Sequence, residues 1–211
     1  NYETEILSDR RVKSVTRDEA IRTRTFWTLA SVTICSSLFG TGLIFHQSNI
    51  LGEIGYSNSE AAAMFLPAAA GSILGGLGFG WLADRPVRPW LPATSGFLIA
   101  LTTFLGGSVT SLGGVISYVL LFGVAMGGVA SMNTALLPAL FGVGHIGSIT
   151  GSLSFLSVLA SSIGGLAYSL GSNIFGDYRS TSVAFTIVPL LVAGTALINR
   201  RHFLTSESLR G

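Results

Sequence analysis

Six stretches of this chain stay apolar for long enough to cross a lipid bilayer: residues 26–50, 59–83, 90–106, 113–140, 146–170 and 182–198. The hydrocarbon core takes about 20 mostly apolar helical residues, within a range of about 17–25. In lipid every backbone N–H and C=O must be satisfied within the protein, so runs of this length fold as helices. Charged residues make up 10% of the 211, against about 25% in a soluble domain. That deficit excludes a large soluble helical core. The expected fold is an all-α membrane protein of six transmembrane helices.

Residues 1–25 are polar and mixed in charge, 26–199 carry the spans, and 200–211 form a short polar tail. The chain divides on that basis into a basic linker segment, a six-helix bundle and a tail. No apolar run precedes Phe26, so no cleavable signal peptide is expected. Six spans put the segment before Phe26, residues 84–88, the link around His145 and the tail on one side. That side holds eleven of the twelve Lys and Arg; the other holds Arg179 alone. Basic residues beside spanning helices mark the cytoplasmic face, so both termini are expected in the cytoplasm of a cell that carries the protein in its cytoplasmic membrane. Acidic residues interleave the basic ones in the first segment, which argues against nucleic acid as a partner.

Small residues recur at helical spacing: Gly71 and Gly75, Gly76 and Gly80, Gly123 and Gly127, and a face of Gly147, Gly151, Ser154, Ser157, Ser161 and Gly165. Such faces let helix backbones approach closely in lipid, so most of them are expected to be packing. A short internal echo links Leu38-Phe39-Gly40 with Leu121-Phe122-Gly123, and Ser72, Gly75 and Gly76 with Ser161, Gly164 and Gly165. Three spans followed by three related spans run in opposite senses, which makes an inverted repeat.

Between the second and third spans lies Gly80-Trp81-Leu82-Ala83-Asp84-Arg85-Pro86-Val87-Arg88. It resembles the loop motif of the major facilitator superfamily, Gly-x-x-x-Asp-Arg/Lys-x-Gly-Arg-Arg/Lys. Gly80, Asp84, Arg85 and Arg88 match it, while Val87 and Pro89 depart from it. Residues 141–151, Phe-Gly-x-x-His-Ile-Gly-Ser-Ile-x-Gly, resemble the link into the eleventh helix of many bacterial members. Phe45-His46-Gln47, with Pro67 in the next span, loosely resembles the monocarboxylate and oxalate–formate branch. The charged pair that some of those members carry in the eighth helix is absent, since Ala61–Trp81 has no charge. The resemblance implies half of a major facilitator fold, the C-terminal six helices, built as two inverted three-helix repeats. It implies a secondary transporter that moves a small organic solute, such as a monocarboxylate, by alternating access. The partners so implied are that solute, the lipid bilayer and the missing N-terminal six-helix half. In the family the motif Asp docks on the opposite half and gates the cytoplasmic side, a role that would fall to Asp84 with Gly80, Arg85 and Arg88.

Thr33, Ser37, Thr41 and Ser48 follow one side of the first span, flanked by Ser36 and Gln47. Family helices at this position line the central cavity, so Ser37, Thr41, His46, Gln47 and Asn133 are the substrate-cavity candidates. Ser and Thr also bond back to their own helix, and that reading stays open. His46 is the one histidine within an apolar run. It suits interfacial packing or gating, or a part in proton coupling. Glu60 opens the second span and suits a helix start.

Catalysis is not expected. An intramembrane serine protease needs a histidine base on a facing helix, and His145 and His202 lie outside the runs. No paired histidines or carboxylates offer metal ligands, no phosphate loop follows a strand, and no cofactor is implied. Cys35 has no partner for a disulfide within the chain. A second reading from another class stays open: a non-transporting six-helix scaffold or homodimeric membrane protein.

Overall fold

A computed structural model describes residues 14–83 and 89–208, with side chains as far as Arg201. Residues 84–88, and with them Asp84, Arg85 and Arg88, lie outside the described residues. The described helices are α1 (Arg17–Ala20), α2 (Arg24–Gly52), α3 (Asn58–Ala63), α4 (Phe65–Ala83), α5 (Leu91–Ser108), α6 (Leu112–Phe141), α7 (Ile146–Phe175), α8 (Tyr178–Phe185) and α9 (Ile187–Ser208). Six units among them are long and apolar enough to cross a membrane. They are α2, α3 with α4, α5, α6, α7, and α8 with α9, here spans 1 to 6.

Side-chain caps set where the helices start. Thr23 accepts from the Phe26 N–H and Ser111 from the Gly114 N–H. Thr16 with Glu19, and Ser57 with Glu60, form reciprocal capping boxes. Each cap satisfies N–H groups that a helix leaves without partners. Glu60 is thus a helix-start residue. The two composite spans break for a common reason. Proline lacks an N–H, and its ring crowds the carbonyl four residues earlier. Pro67 lies four residues after Ala63, where α3 ends, and Pro189 lies four residues after Phe185, where α8 ends.

The helices alternate in direction through short links. On one side, the near side, Val15 N–H donates to Phe141 O at 3.0 Å, and Asn199 Nδ2 donates to Thr28 Oγ1 at 3.3 Å. On the far side Glu53 meets Tyr178 and Arg179.

The most extensive helix pairings are span 2 with 4, span 1 with 5, and span 3 with 6. Exchanging spans 1 and 4, 2 and 5, and 3 and 6 turns the first pairing into the second and leaves the third unchanged. The packing therefore carries the two-fold relation of two inverted three-helix repeats. A methyl placed on Gly71 or Gly75 would meet the Leu120 or Val124 carbonyl, and one on Gly123 or Gly127 the Ala68 or Ser72 carbonyl. A methyl on Gly164 would likewise meet the Leu38 carbonyl of span 1. The short echo in the sequence is kept for Gly75 and Gly164, which hold equivalent places. It is not kept for Gly40, which faces the Met126 thioether while Gly42 meets the Tyr168 ring. Gly147, Gly151 and Gly80 have nothing within 4 Å of an added methyl, so those parts of the small-residue faces are open and not packed.

Candidate functional site

A groove of about 610 Å³ lies between spans 1, 4 and 5 toward the near side. Thr33, Asn133, Thr134, Thr150, Ser154 and Ser157 form its polar lining, with Leu137, Pro138 and Leu153 among the apolar walls. Among the described residues, no charged side chain lines it.

Hydrogen bonds orient the Asn133 amide. Thr33 Oγ1 donates to Leu29 O at 2.9 Å, so its oxygen accepts from Asn133 Nδ2 at 2.8 Å. Asn133 Oδ1 is then left buried with no donor. A buried acceptor without a donor typically costs about 1–3 kcal/mol, which makes this carbonyl a place where a donor would be welcome. Thr134 bonds back to Ala130 O at 3.0 Å, whereas Thr150 and Ser154 are exposed toward the groove.

A polar seam continues from the groove along spans 1 and 5. Ser37 and Ser157 share a hydrogen bond of 2.6 Å, and Thr41 and Ser161 another of 2.6 Å. Both residues of each helix are four apart, so the hydroxyls stack on facing sides. Next in the series, His46 Nε2 lies 3.0 Å from Gly165 O. A carbonyl only accepts, so Nε2 carries the proton and Nδ1 accepts from Asn49 Nδ2 at 3.2 Å. The imidazole also stacks on Tyr178, with centroids 4.6 Å apart.

The cavity candidates thus separate. Asn133 lines the groove; Ser37, Thr41 and His46 form the seam that extends from it. Gln47 is buried and donates to Ala61 O at 2.9 Å, tying α2 to α3 at the far side and away from the groove. Ser36 donates to the Met126 thioether at 3.4 Å. Gly80 lies about one turn before the end of span 2, where an added methyl would meet nothing within 4 Å among the described residues, and Asp84, Arg85 and Arg88 lie outside the described residues.

Sequence reading missed a far-side clasp. Glu53 accepts the Tyr178 N–H at 2.9 Å and the Arg179 N–H at 3.2 Å. Arg179 Nη2 reaches Val109 O at 3.2 Å. One acidic and one basic residue thereby join the ends of spans 1 and 3 to the start of span 6. Asp177 caps the same start, and the Ser180 backbone N–H holds its carboxyl below the ordinary pKa. An acid just past a span end, close to a second helix N-terminus in space but not in sequence, leaves no local signal.

A family model of the Major Facilitator Superfamily matches residues 4–165. Monocarboxylate transporter 13 of Bos taurus is 27% identical over 176 residues, covering 79% of this chain and 38% of that protein. The chain therefore spans well under half the length of the relative it matches.

Proposed function

The chain belongs to the major facilitator superfamily, a family of membrane transporters and not of enzymes, and from that membership we propose that it forms the C-terminal six-helix half of a secondary transporter for a small organic solute of the monocarboxylate class. Residues 1–25 are then the end of the loop joining the two halves, 26–199 the bundle and 200–211 a cytoplasmic tail. The near side faces the cytoplasm, as the basic bias favours. The two bundles rock about a site between them, open to one side at a time.

The observation that carries this reading is the groove of hydroxyls and one amide between spans 1, 4 and 5, with no charge among the described residues that line it. A small solute finds donors and acceptors there without having to displace a salt bridge. Thr150 and Ser154 offer their hydroxyls, Asn133 lines the wall with its amide, and the Ser37 and Thr41 pairs stand at the groove's end. A carboxylate would take its counter-charge from the other half. His46 holds the far end of the seam. Asp84, with Gly80, Arg85 and Arg88, gates the cytoplasmic side by docking on the other half. The name of the bovine relative supports the solute class.

The test is uptake of radiolabelled C2–C5 monocarboxylates into proteoliposomes holding the full-length protein. Dicarboxylates and hexoses serve as comparisons. Ser154→Phe, which fills the groove from an exposed position, should abolish uptake while leaving the amount of folded protein unchanged. Undiminished uptake in that variant would remove the groove from the pathway. No uptake of any solute by the wild type would favour the non-transporting scaffold.

A further inference from the structure

A second cavity, of about 470 Å³, opens on the near side between α1, the first turns of α2 and the near end of α7. It is amphipathic. One wall carries Arg17 and Ser152, and the other carries Trp27 and Phe155, with Gly151 between them. We propose that it binds one anionic phospholipid of the near-side leaflet, with the headgroup phosphate on Arg17 and an acyl chain along Trp27 and Phe155.

Three features lead there. The first is a fixed cation with an unused fork. Ser152 Oγ donates to Ser148 O at 3.0 Å, so its oxygen is free to accept, and it takes the Arg17 Nε–H at 2.8 Å. That bond pins the guanidinium to α7 through one nitrogen, and among the described residues both Nη groups are left for a ligand. A planar fork of this kind matches phosphate oxygens. Among the described residues of this segment Arg17, Arg22 and Arg24 outnumber Asp18 and Glu19, and Glu19 bonds back into the capping box at Thr16.

The second feature is depth. Trp27 lies in the first turn of span 1, its indole N–H held by Ile21 O at 2.8 Å and its side chain 52% exposed. Tryptophans gather at the boundary between headgroups and acyl chains. Arg17 bonds Ser152, about one turn nearer the near-side end of α7 than Phe155, and so stands on the headgroup side of the apolar wall. The third is the wall below the cation. Phe155 is 64% exposed, and an added methyl on Gly151 meets nothing within 4 Å. A free phosphate has no use for an apolar trough beneath its charge, whereas a diacyl lipid fills both parts. The site lies on a different face of span 5 from the solute groove and shares none of its lining residues.

The test is the thermal shift of the purified full-length protein in detergent, titrated with phosphatidylglycerol, phosphatidylcholine or inorganic phosphate. Phosphatidylglycerol should raise the melting temperature, and the other two should not. Arg17→Gln should weaken that response about tenfold or more, the loss expected for a charged hydrogen-bonding partner. Gly151→Leu should also weaken it, by filling a space that no protein atom occupies. Arg22→Gln should leave it intact. Equal shifts with the two lipids would overturn the proposal. So would a shift reproduced by inorganic phosphate alone, which would mark a site for soluble anions. Wild-type response in both Arg17→Gln and Gly151→Leu would place the lipid elsewhere and sink it too.

Discussion

Three glycine-to-alanine changes, alike in sequence terms, should differ in cost because of what each new methyl would meet. At Gly75 it would lie 2.6 Å from Val124 Cα and 2.8 Å from Val124 C, against the backbone of span 4. Backbone cannot turn aside, so spans 2 and 4 must separate along a contact that also runs through Gly71, Gly123 and Gly127. Overpacking of this kind costs about 1–3 kcal/mol. At about 2–4 °C per kcal/mol for a domain of this size, the melting temperature falls by roughly 2–12 °C. At Gly40 the obstacle is the Met126 thioether, 2.8 Å away, the end of a flexible side chain that can move to another rotamer. That variant should lose less than half as much. At Gly78 nothing stands within 4 Å, and alanine is the better helix former by up to about 1 kcal/mol, so stability should hold or rise. Cys35, buried in span 1 and the one cysteine of the sequence, supplies the readout: a thiol-reactive dye labels it as the bundle opens. If Gly78→Ala melts as early as Gly75→Ala, close backbone approach is not what these glycines serve.

Breaking the Ser37–Ser157 bond should cost little but measurably. A double-mutant cycle with Ser37→Ala and Ser157→Ala should give a coupling of about 0.6 kcal/mol and at most about 1.7, the range for hydrogen bonds between membrane helices; zero coupling in the melting curves would mean that the bond is not formed. Asp84→Asn should insert normally, slow uptake, and speed cytoplasmic-side labelling of a Ser154→Cys reporter in the groove; equal labelling with normal uptake would make Asp84 a solvated turn residue. Asp177 has its pKa lowered by the Ser180 N–H, so its cap stabilises fully above the ordinary carboxylate range, near pH 4. It fades as pH falls through the lower folded value. Tryptophan-fluorescence melts should therefore lose stability in that acid window for the wild type and not for Asp177→Asn.

The spans were legible because apolar length is a strong signal, but their ends were not. The sixth was expected over 182–198, and the span in the structure is Tyr178–Arg201. Its first turn reads as a polar loop, yet Thr181 and Ser182 return their hydroxyls to Asp177 O and Tyr178 O, so it is helix with its polar groups satisfied. Helical spacing found the small-residue faces without telling which turns meet a neighbour. Gly71, Gly75, Gly123 and Gly127 do; Gly147 and Gly151 line open space. The tight backbone contact of span 5 with span 1 is made by Gly164, one residue before the glycine that the spacing marked. Asn133 was visible as an amide inside an apolar run. Thr150 and Ser154 were not, since a hydroxyl that faces a groove and one that bonds back to its own helix look the same in sequence.

The groove's position follows from where those glycines fall. Spans 2 and 4 are related by the repeat to spans 5 and 1, yet the groove described above lies along spans 1 and 5. Along spans 2 and 4 the close contacts recur at Gly71 and Gly75 and, from the other side, at Gly123 and Gly127. The backbones are held together over several turns, and no room is left. Along spans 1 and 5 the close backbone contact is at Gly164, against the Leu38 carbonyl and the Gly42 N–H of span 1. Two straight helices that touch at one point and cross at an angle must part away from it. Beside that contact, about one turn nearer along span 5, Thr41 meets Ser161. A turn further, Ser37 meets Ser157. Beyond that the hydroxyls no longer reach across, Thr150 and Ser154 face open space, and span 4 brings Asn133 to the gap. The gradient from glycine to paired hydroxyl to unpaired hydroxyl is thus one geometric fact, the divergence of α2 from α7. A change in their crossing angle about Gly164 would widen or close the groove, and on its near side it would disturb the Ser37–Ser157 and Thr41–Ser161 bonds, each of modest strength.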